Sequence, residues 1–143
     1  KSTYSSNKNK DGWDKSIFSG NRSYSKNTTN TVKDNLTGLI WQKTPNYKKY
    51  NWEKAKNYCR SLSLDGYNNW RLPNFNELFY LADRTKYNPA IDTNYFNVKT
   101  DNWYWTSTSY KNSSSRAWVV GFSLGNNRIK SDDRYDRYVR CVR

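Results

Sequence analysis

The sequence of 143 residues contains no histidine and no methionine, only two cysteines and only three prolines. Without histidine, the common Ser-His and Cys-His catalytic arrangements cannot form. The chain also lacks an apolar run of about 18 residues, the length that a membrane-spanning helix needs. Acidic residues are few, with 12 Asp and Glu against 25 Lys and Arg, so the formal net charge is +13. The absence of histidine therefore argues against hydrolases that use Ser-His or Cys-His catalysis. The excess of Lys and Arg predicts a strongly basic surface.

Aromatic residues make up for the shortage of aliphatic ones. Only 34% of the residues are hydrophobic and the mean hydropathy is −1.19, but the chain has seven Trp, thirteen Tyr and five Phe. Each aromatic side chain can bury roughly 150–250 Å². The length and composition therefore predict one small domain with an aromatic core rather than a disordered chain.

The two cysteines, Cys59 and Cys141, could be free thiols, part of a metal site or a disulfide. A zinc site needs four ligands, and histidine is absent. The positions of the cysteines suit a bridge between an early helix and the end of the chain, which implies an oxidising compartment. Closing so long a loop would stabilise the fold by about 4–5 kcal/mol. Two buried thiols are the alternative.

The pattern along the chain predicts an arm followed by a domain that opens with a hairpin and two helices. Residues 1–30 are rich in Lys, Ser, Asn and Thr, which is typical of a linker or loosely attached arm. The domain is expected over 31–143, with a hairpin turn at 35–38. Helices are predicted over 52–63, capped by Asn51, and from Asn74 onwards, where Glu77 completes a capping box.

The second half of the domain is predicted to consist of a long loop and short strands. The loop covers 83–102, and the last strand is expected to return the C-terminus to the N-terminal hairpin. The predicted fold class is α+β, with two helices, short antiparallel sheets and long loops. The strands are predicted at 103–108, 116–123, 127–130 and 138–143, with a turn at Gly125-Asn126-Asn127.

Because the chain begins with Lys1, we interpret it as a piece of a longer protein.

A set of short motifs resembles one bacterial family. The motifs are Asp34-Asn35-x-Thr37-Gly38-Leu39-x-Trp41, Trp70-Arg71-Leu72-Pro73, Trp103-Tyr104-Trp105-Thr106-Ser107 and Val139-Arg140-Cys141-Val142-Arg143. They cover about residues 31–143 and are similar to the Lcl C-terminal domains, which close the Legionella collagen-like adhesins. The resemblance implies a C-type-lectin-like fold, related to the formylglycine-generating enzymes, in which a Cys59–Cys141 disulfide joins the first helix to the last strand.

The resemblance also implies a function and a location. It implies a non-catalytic adhesin domain, extracellular or on the bacterial cell surface, that binds anionic polysaccharides such as sulfated glycosaminoglycans, and a trimeric stalk elsewhere in the parent protein. No residues match the reactive cysteine pair of the formylglycine-generating relatives, so we expect no enzyme. Structural roles are expected for Trp70-Arg71-Leu72-Pro73, with Arg71 paired to a carboxylate or carbonyl group, and for Trp103-Tyr104-Trp105.

Two groups of basic residues are the predicted anion-binding sites, although each could also be a merely solvated surface. Arg suits bidentate contact with sulfate, phosphate or carboxylate, and Lys acts as a mobile charge. The first group surrounds the first helix and comprises Lys43, Lys48, Lys49, Lys54, Lys56 and Arg60. The second group is expected on the C-terminal sheet and comprises Arg116, Arg128, Lys130, Arg134 and Arg137. Nearby tyrosines that could stack on sugar rings or bases are Tyr47, Tyr50, Tyr110 and Tyr135.

Other ligands are compatible with the sequence. Asp132, Asp133 and Asp136 could bind Ca²⁺, although the interleaved arginines suit salt bridges equally well. A protein receptor, contacted by a variable surface over 110–138, is the alternative partner. Anionic membrane surfaces qualify on charge alone. Nucleic acid fits the charge and the aromatic content, but no nucleic-acid motif is present and a disulfide-bonded exterior location argues against it.

Overall fold

The fold is α+β, as the sequence predicts, with two helices and two three-stranded antiparallel sheets in residues 22–124 and 127–143, which the computed structural model describes. Most of the predicted arm, residues 1–21, lies outside the described residues, and so does part of the predicted turn, 125–126. Neither helix of the described chain is long and apolar enough to cross a membrane. The more specific prediction of a C-type-lectin-like fold stays a prediction.

The first sheet has the strand order β1-β2-β3, with β1 at Tyr24–Thr28, β2 at Thr31–Asp34 and β3 at Ile40–Gln42. The hairpin predicted at 35–38 joins β2 to β3, and Gly38 adopts the positive φ of 78° that glycine tolerates best. Strand β1 falls within the segment that the sequence assigns to an arm. Its polar residues form an edge strand because β2 offers them a hydrogen-bonding partner.

Both helices begin at the predicted Asn caps. Helix α1, Trp52–Ser61, starts after Asn51, whose side chain accepts a hydrogen bond from the Lys54 backbone at 2.9 Å. Helix α2, Phe75–Leu81, starts after Asn74 with the predicted capping box. Caps of this kind satisfy backbone N–H groups locally, which explains why the sequence predicts the helix starts so closely.

The second sheet has the order β4-β5-β6, with β4 at Tyr104–Ser109, β5 at Arg116–Val120 and β6 at Arg128–Asp132. Successive side chains of a strand point to opposite faces of the sheet. On one face, Val119 packs into a cluster with residues of α1, and on the other face Val120 packs into a cluster with residues of α2. The sheet therefore has α1 on one side and α2 on part of the other.

The C-terminal segment forms isolated bridges rather than the strand predicted at 138–143. Val142 bridges both Trp41 and Arg71, so the segment is divided between two neighbours and joins no regular sheet. It does lie beside the N-terminal hairpin, as predicted, since the Ile40 N–H donates to the Arg143 carbonyl at 2.7 Å. The predicted disulfide is confirmed, and it ties this segment to α1 with a distance of 5.6 Å between the Cα atoms of Cys59 and Cys141.

The motifs that resemble the family occupy the core. Trp70 and Leu72 are buried, and Arg71 forms an ion pair with Glu77, as the sequence predicts. Tyr104 and Trp105 are fully buried, one in each of the two core clusters. Packing in the core therefore explains these buried residues of the motifs.

Candidate functional site

Basic residues lie beside one tryptophan, Trp118, on one face of strands β5 and β6. Trp118 on β5 lies opposite Lys130 on β6, and Val120 lies opposite Arg128. Arg116 is two residues before Trp118 and therefore points to the same face. This two-residue alternation brings together three of the basic residues in the second predicted group, all of them exposed.

Aromatic rings continue from this strand pair onto helix α2. The ring of Tyr110 lies 5.8 Å from that of Trp118, centroid to centroid, and Trp118 lies 5.5 Å from Phe75. Phe75 in turn stacks on Phe79 at 5.1 Å. All four rings are half-buried. The four rings form a continuous row. One side of the row is partly accessible to solvent, and the other side packs against the protein.

Cations lie at both ends of this row. The Lys130 Nζ is 4.8 Å from the Tyr110 ring centroid, while the guanidinium carbons of Arg84 and Arg128 are 4.6 Å and 5.1 Å from the Phe79 centroid. Such cation–π contacts hold flexible side chains over the rings. We call this area the aromatic–cation surface, and it comprises Phe75, Phe79, Arg84, Tyr110, Arg116, Trp118, Arg128 and Lys130.

A shallow concavity of about 620 Å³ lies in the middle of the aromatic–cation surface. It is lined by Arg116, Trp118, Arg128, Lys130 and the neighbouring Ile129. Within the described chain, no carboxylate forms an ion pair with any of the three cations. Asp132 lies opposite Arg116 in the strand register, but its ion pair is with Arg134. Three cations that form no ion pair in the described chain therefore surround a half-buried indole ring, which favours a ligand that combines negative charge with flat or ring-shaped apolar surface.

Arg134 and Arg137, the other basic residues of the second group, are engaged by the protein itself. Arg134 pairs with Asp132 through Nε and Nη2, each 3.0 Å from a carboxylate oxygen, and these hydrogen bonds hold the pKa of Asp132 below its usual range. Arg137 donates to Ser131 and Asn102, and its guanidinium lies 5.3 Å from the Tyr135 ring. Neither arginine lines the concavity.

The structure does not gather the three predicted calcium ligands, Asp132, Asp133 and Asp136, into one group in the described chain, and calcium binding stays a prediction. No group of three or more acidic or cysteine side chains in 22–124 and 127–143 could hold a metal ion. Both carboxylate oxygens of Asp132 accept hydrogen bonds from Arg134, which competes with any cation there. The interpretation as salt bridges, which the sequence left open, fits Asp132 better.

The first predicted basic group is spread along α1 and the loop before it. On α1, Lys56 pairs with Glu53 at 3.3 Å and lies 3.9 Å from the Trp52 ring, while Arg60 donates to Asn57. None of the six residues of this group lines the concavity beside Trp118. Lys43 is half-buried, Lys49 lies 5.7 Å from the Tyr138 ring, and Lys48 and Lys54 are exposed.

Sequence reasoning missed half of the aromatic–cation surface. It did not select Trp118, although Arg116 and Trp118 are two residues apart in the sequence, as are Arg128 and Lys130. This spacing places both side chains of each pair on one face of a strand. It could not select Phe75, Phe79 and Arg84, because only the docking of α2 brings them to the strand pair. The missed residues supply three of the four rings.

Comparison with known proteins identifies the family. A model of the Lcl C-terminal domain matches residues 30–143. The chain belongs to the Lcl C-terminal domain family. The match includes both cysteines and the whole aromatic–cation surface, and it begins after strand β1. A search of curated proteins found no match to this Lcl C-terminal domain.

Proposed function

We propose that this Lcl C-terminal domain is a non-catalytic, adhesin-like domain that acts at the cell surface or outside the cell. Its ligand is an anionic polysaccharide, of which sulfated glycosaminoglycans are the leading class, and the binding site is the aromatic–cation surface. The family supports the adhesin-like role, and the disulfide fits an oxidising location.

The observation that carries the proposal is the group of three cations around Trp118 that form no ion pair in the described chain. Arg116, Arg128 and Lys130 line one concavity together with that indole ring. Arginine can contact a sulfate or carboxylate group through two hydrogen bonds, and an aromatic ring offers an apolar face to the C–H side of a sugar. A linear polymer that alternates rings and anionic groups satisfies both features along the row of aromatic residues.

Two triple variants with the same loss of charge test the site. The first replaces Arg116, Arg128 and Lys130 by Gln, and the control replaces the exposed Lys48, Lys54 and Arg60 by Gln. Each removes three positive charges, so a purely long-range attraction weakens equally in both. We expect binding to immobilised heparin to weaken by about tenfold or more in the first variant, and by a few-fold at most in the control.

The same measurement distinguishes the other ligand classes. Wild-type binding to heparin should fall steeply as salt rises and should exceed binding to duplex DNA, whereas any binding to the neutral polysaccharide dextran should depend neither on salt nor on the three Gln substitutions. Equal loss in the two triple variants would contradict the proposed location of the site. Tighter binding to DNA would favour nucleic acid, and loss of heparin binding at low salt would turn the search to protein receptors.

A further inference from the structure

A second and smaller pocket lies at the start of strand β4, and its lining differs chemically from the aromatic–cation surface. Its volume is about 180 Å³, and no Lys or Arg lines it although the net charge of the chain is +13. One half-buried aromatic ring, that of Trp103, borders side chains that carry amide, hydroxyl and carboxylate groups. The lining residues are Thr100, Asp101, Asn102, Trp103, Gly121, Ser123 and Asn127.

Hydrogen bonds within the protein fix the orientation of the polar groups. The Oδ1 of Asn102 accepts from Arg137 at 3.2 Å and from the Trp103 backbone at 2.7 Å, so the amide Nδ2 of Asn102 remains as a donor. The Nδ2 of Asn127 donates to the Ser123 hydroxyl at 3.1 Å, which leaves the Asn127 Oδ1 as an acceptor and the Ser123 O–H as a donor.

A carboxylate adds a further acceptor. Asp101 accepts the Tyr138 hydroxyl on Oδ1 at 2.8 Å, and in the described chain no hydrogen bond engages its Oδ2. The pocket thus offers two donors and two acceptors around one aromatic ring. Neighbouring hydroxyl groups, each of which both donates and accepts, match such an alternating set.

A glycine keeps the aromatic ring and the amide close together. A Cβ atom at Gly121 would lie 2.9 Å from the Asn127 Nδ2 and 3.2 Å from the Trp103 ring. Any larger residue would push these two side chains apart, so the shape of the pocket depends on glycine at this position.

We propose that this pocket binds one uncharged pyranose residue of a glycan, with the sugar ring against Trp103 and its hydroxyl groups bound to Asn102, Asn127, Ser123 and Asp101. An aromatic wall with a few convergent polar groups is the usual composition of a small-ligand site. An acidic sugar is disfavoured because Asp101 would face its carboxylate or sulfate group.

The pocket is distinct from the aromatic–cation surface. Asn127 lines the pocket and the next residue, Arg128, lines the concavity. No residue lines both the pocket and the concavity, so the two ligands would not compete for the same atoms. Binding at this pocket does not rest on the function proposed above, and each can fail without the other.

The test follows the indole N–H signal of Trp103 by NMR in the ¹⁵N-labelled protein. The signal is assigned among the seven tryptophans by its loss in Trp103→Phe. Methyl pyranosides of glucose, galactose, mannose and N-acetylglucosamine are the probes, and methyl glucuronide is the charged comparison. At least one neutral pyranoside should shift the signal saturably, and more strongly than the glucuronide.

Matched variants link the signal to the polar groups. Asn102→Asp keeps the acceptor that holds Arg137 and replaces the free amide donor by a charged acceptor oxygen, so it should fold normally and bind about tenfold more weakly. Ser123→Ala removes the hydroxyl donor and should also weaken binding, whereas Lys130→Gln should leave it unchanged. No shift with any neutral probe, stronger binding of the glucuronide, or unchanged binding in Asn102→Asp would overturn the proposal.

Discussion

Arg71 and Glu77 are joined by two parallel hydrogen bonds, from Nη1 to Oε1 at 2.7 Å and from Nη2 to Oε2 at 2.8 Å. The same Glu77 Oε1 accepts from the Asn74 backbone N–H at 2.9 Å. One carboxylate therefore connects the Trp70-Arg71-Leu72-Pro73 motif to the N-terminus of α2. Because Phe75 and Phe79 lie on α2, this ion pair also helps to hold the aromatic–cation surface in place.

Loss of Arg71 should destabilise the fold more than loss of an ordinary surface cation. The Glu77 side chain is only 6% exposed, so Arg71→Ala leaves a nearly buried carboxylate without its cation. We expect the free energy of unfolding in urea to fall by about 2–4 kcal/mol. Arg71→Lys keeps the charge but not the paired geometry, and should lose less. An Ala variant as stable as the wild type would show that the ion pair does not fasten α2.

Reduction of the Cys59–Cys141 disulfide should cost a large share of the stability. The bridge closes a sequence separation of 82 residues, for which chain entropy gives about 4–5 kcal/mol. Urea unfolding with and without dithiothreitol measures the loss in the wild type. A Cys59→Ala/Cys141→Ala variant should match the reduced protein and should not respond to reductant. Equal midpoints for oxidised and reduced wild type would contradict this expectation.

Asp34 should make the domain more stable as the pH falls. Its Oδ1 accepts from the Leu36 and Thr37 backbone at 2.9 and 3.3 Å, whereas Oδ2 is buried without a hydrogen-bond partner in the described chain. Burial raises the pKa of Asp34 above its ordinary value, so the folded state binds this proton more tightly than the unfolded state. In the pH range between the pKa of Asp34 in the unfolded state and its higher pKa in the folded state, the contribution of Asp34 to stability therefore increases as the pH falls.

The variant Asp34→Asn isolates this effect. It keeps an acceptor for the turn but carries no charge, so it should be at least as stable as the wild type at pH 7 and should lack the gain on acidification. The lowered pKa of Asp132 makes stability change with pH in the opposite direction. The quantity to compare is therefore the difference in unfolding free energy between Asp34→Asn and the wild type at each pH. Parallel pH profiles for the two proteins would refute the assignment to Asp34.

Arg140 should be required for stability although no carboxylate pairs with it in the described chain. Its buried guanidinium donates to the carbonyl oxygens of Gln42 and Lys43, each at 2.8 Å, and to that of Asn97 at 2.6 Å. Arg140→Lys should lose about 1–3 kcal/mol in urea unfolding, because one ammonium group cannot reproduce the planar fork. Arg140→Met should lose more, since it removes all three hydrogen bonds, although the Lys43 carbonyl keeps the Asn97 backbone N–H as a donor at 3.1 Å. A fully stable Met variant would contradict a structural role for these bonds.

The local features of the fold could be predicted from the sequence. The caps at Asn51 and Asn74 and the turn at 35–38 use hydrogen bonds between residues a few positions apart, so their signals lie within one short window. The strand predicted at 138–143 failed for the opposite reason. Val142 bridges two partners distant in sequence, Trp41 and Arg71, and no pattern within the segment reveals that division.

The candidate site shows the same division between local and distant information. The sequence by itself determined the excess of positive charge, that any disulfide within this chain must join Cys59 to Cys141, and the alternation that places Arg116 and Trp118 on one face of a strand. Only the tertiary structure decided that Arg137 is held by Asn102, and that the rings of α2 extend the row from Trp118. The reason is physical: alternation follows from backbone geometry, whereas these contacts depend on which distant segments the folded chain brings within a few ångströms.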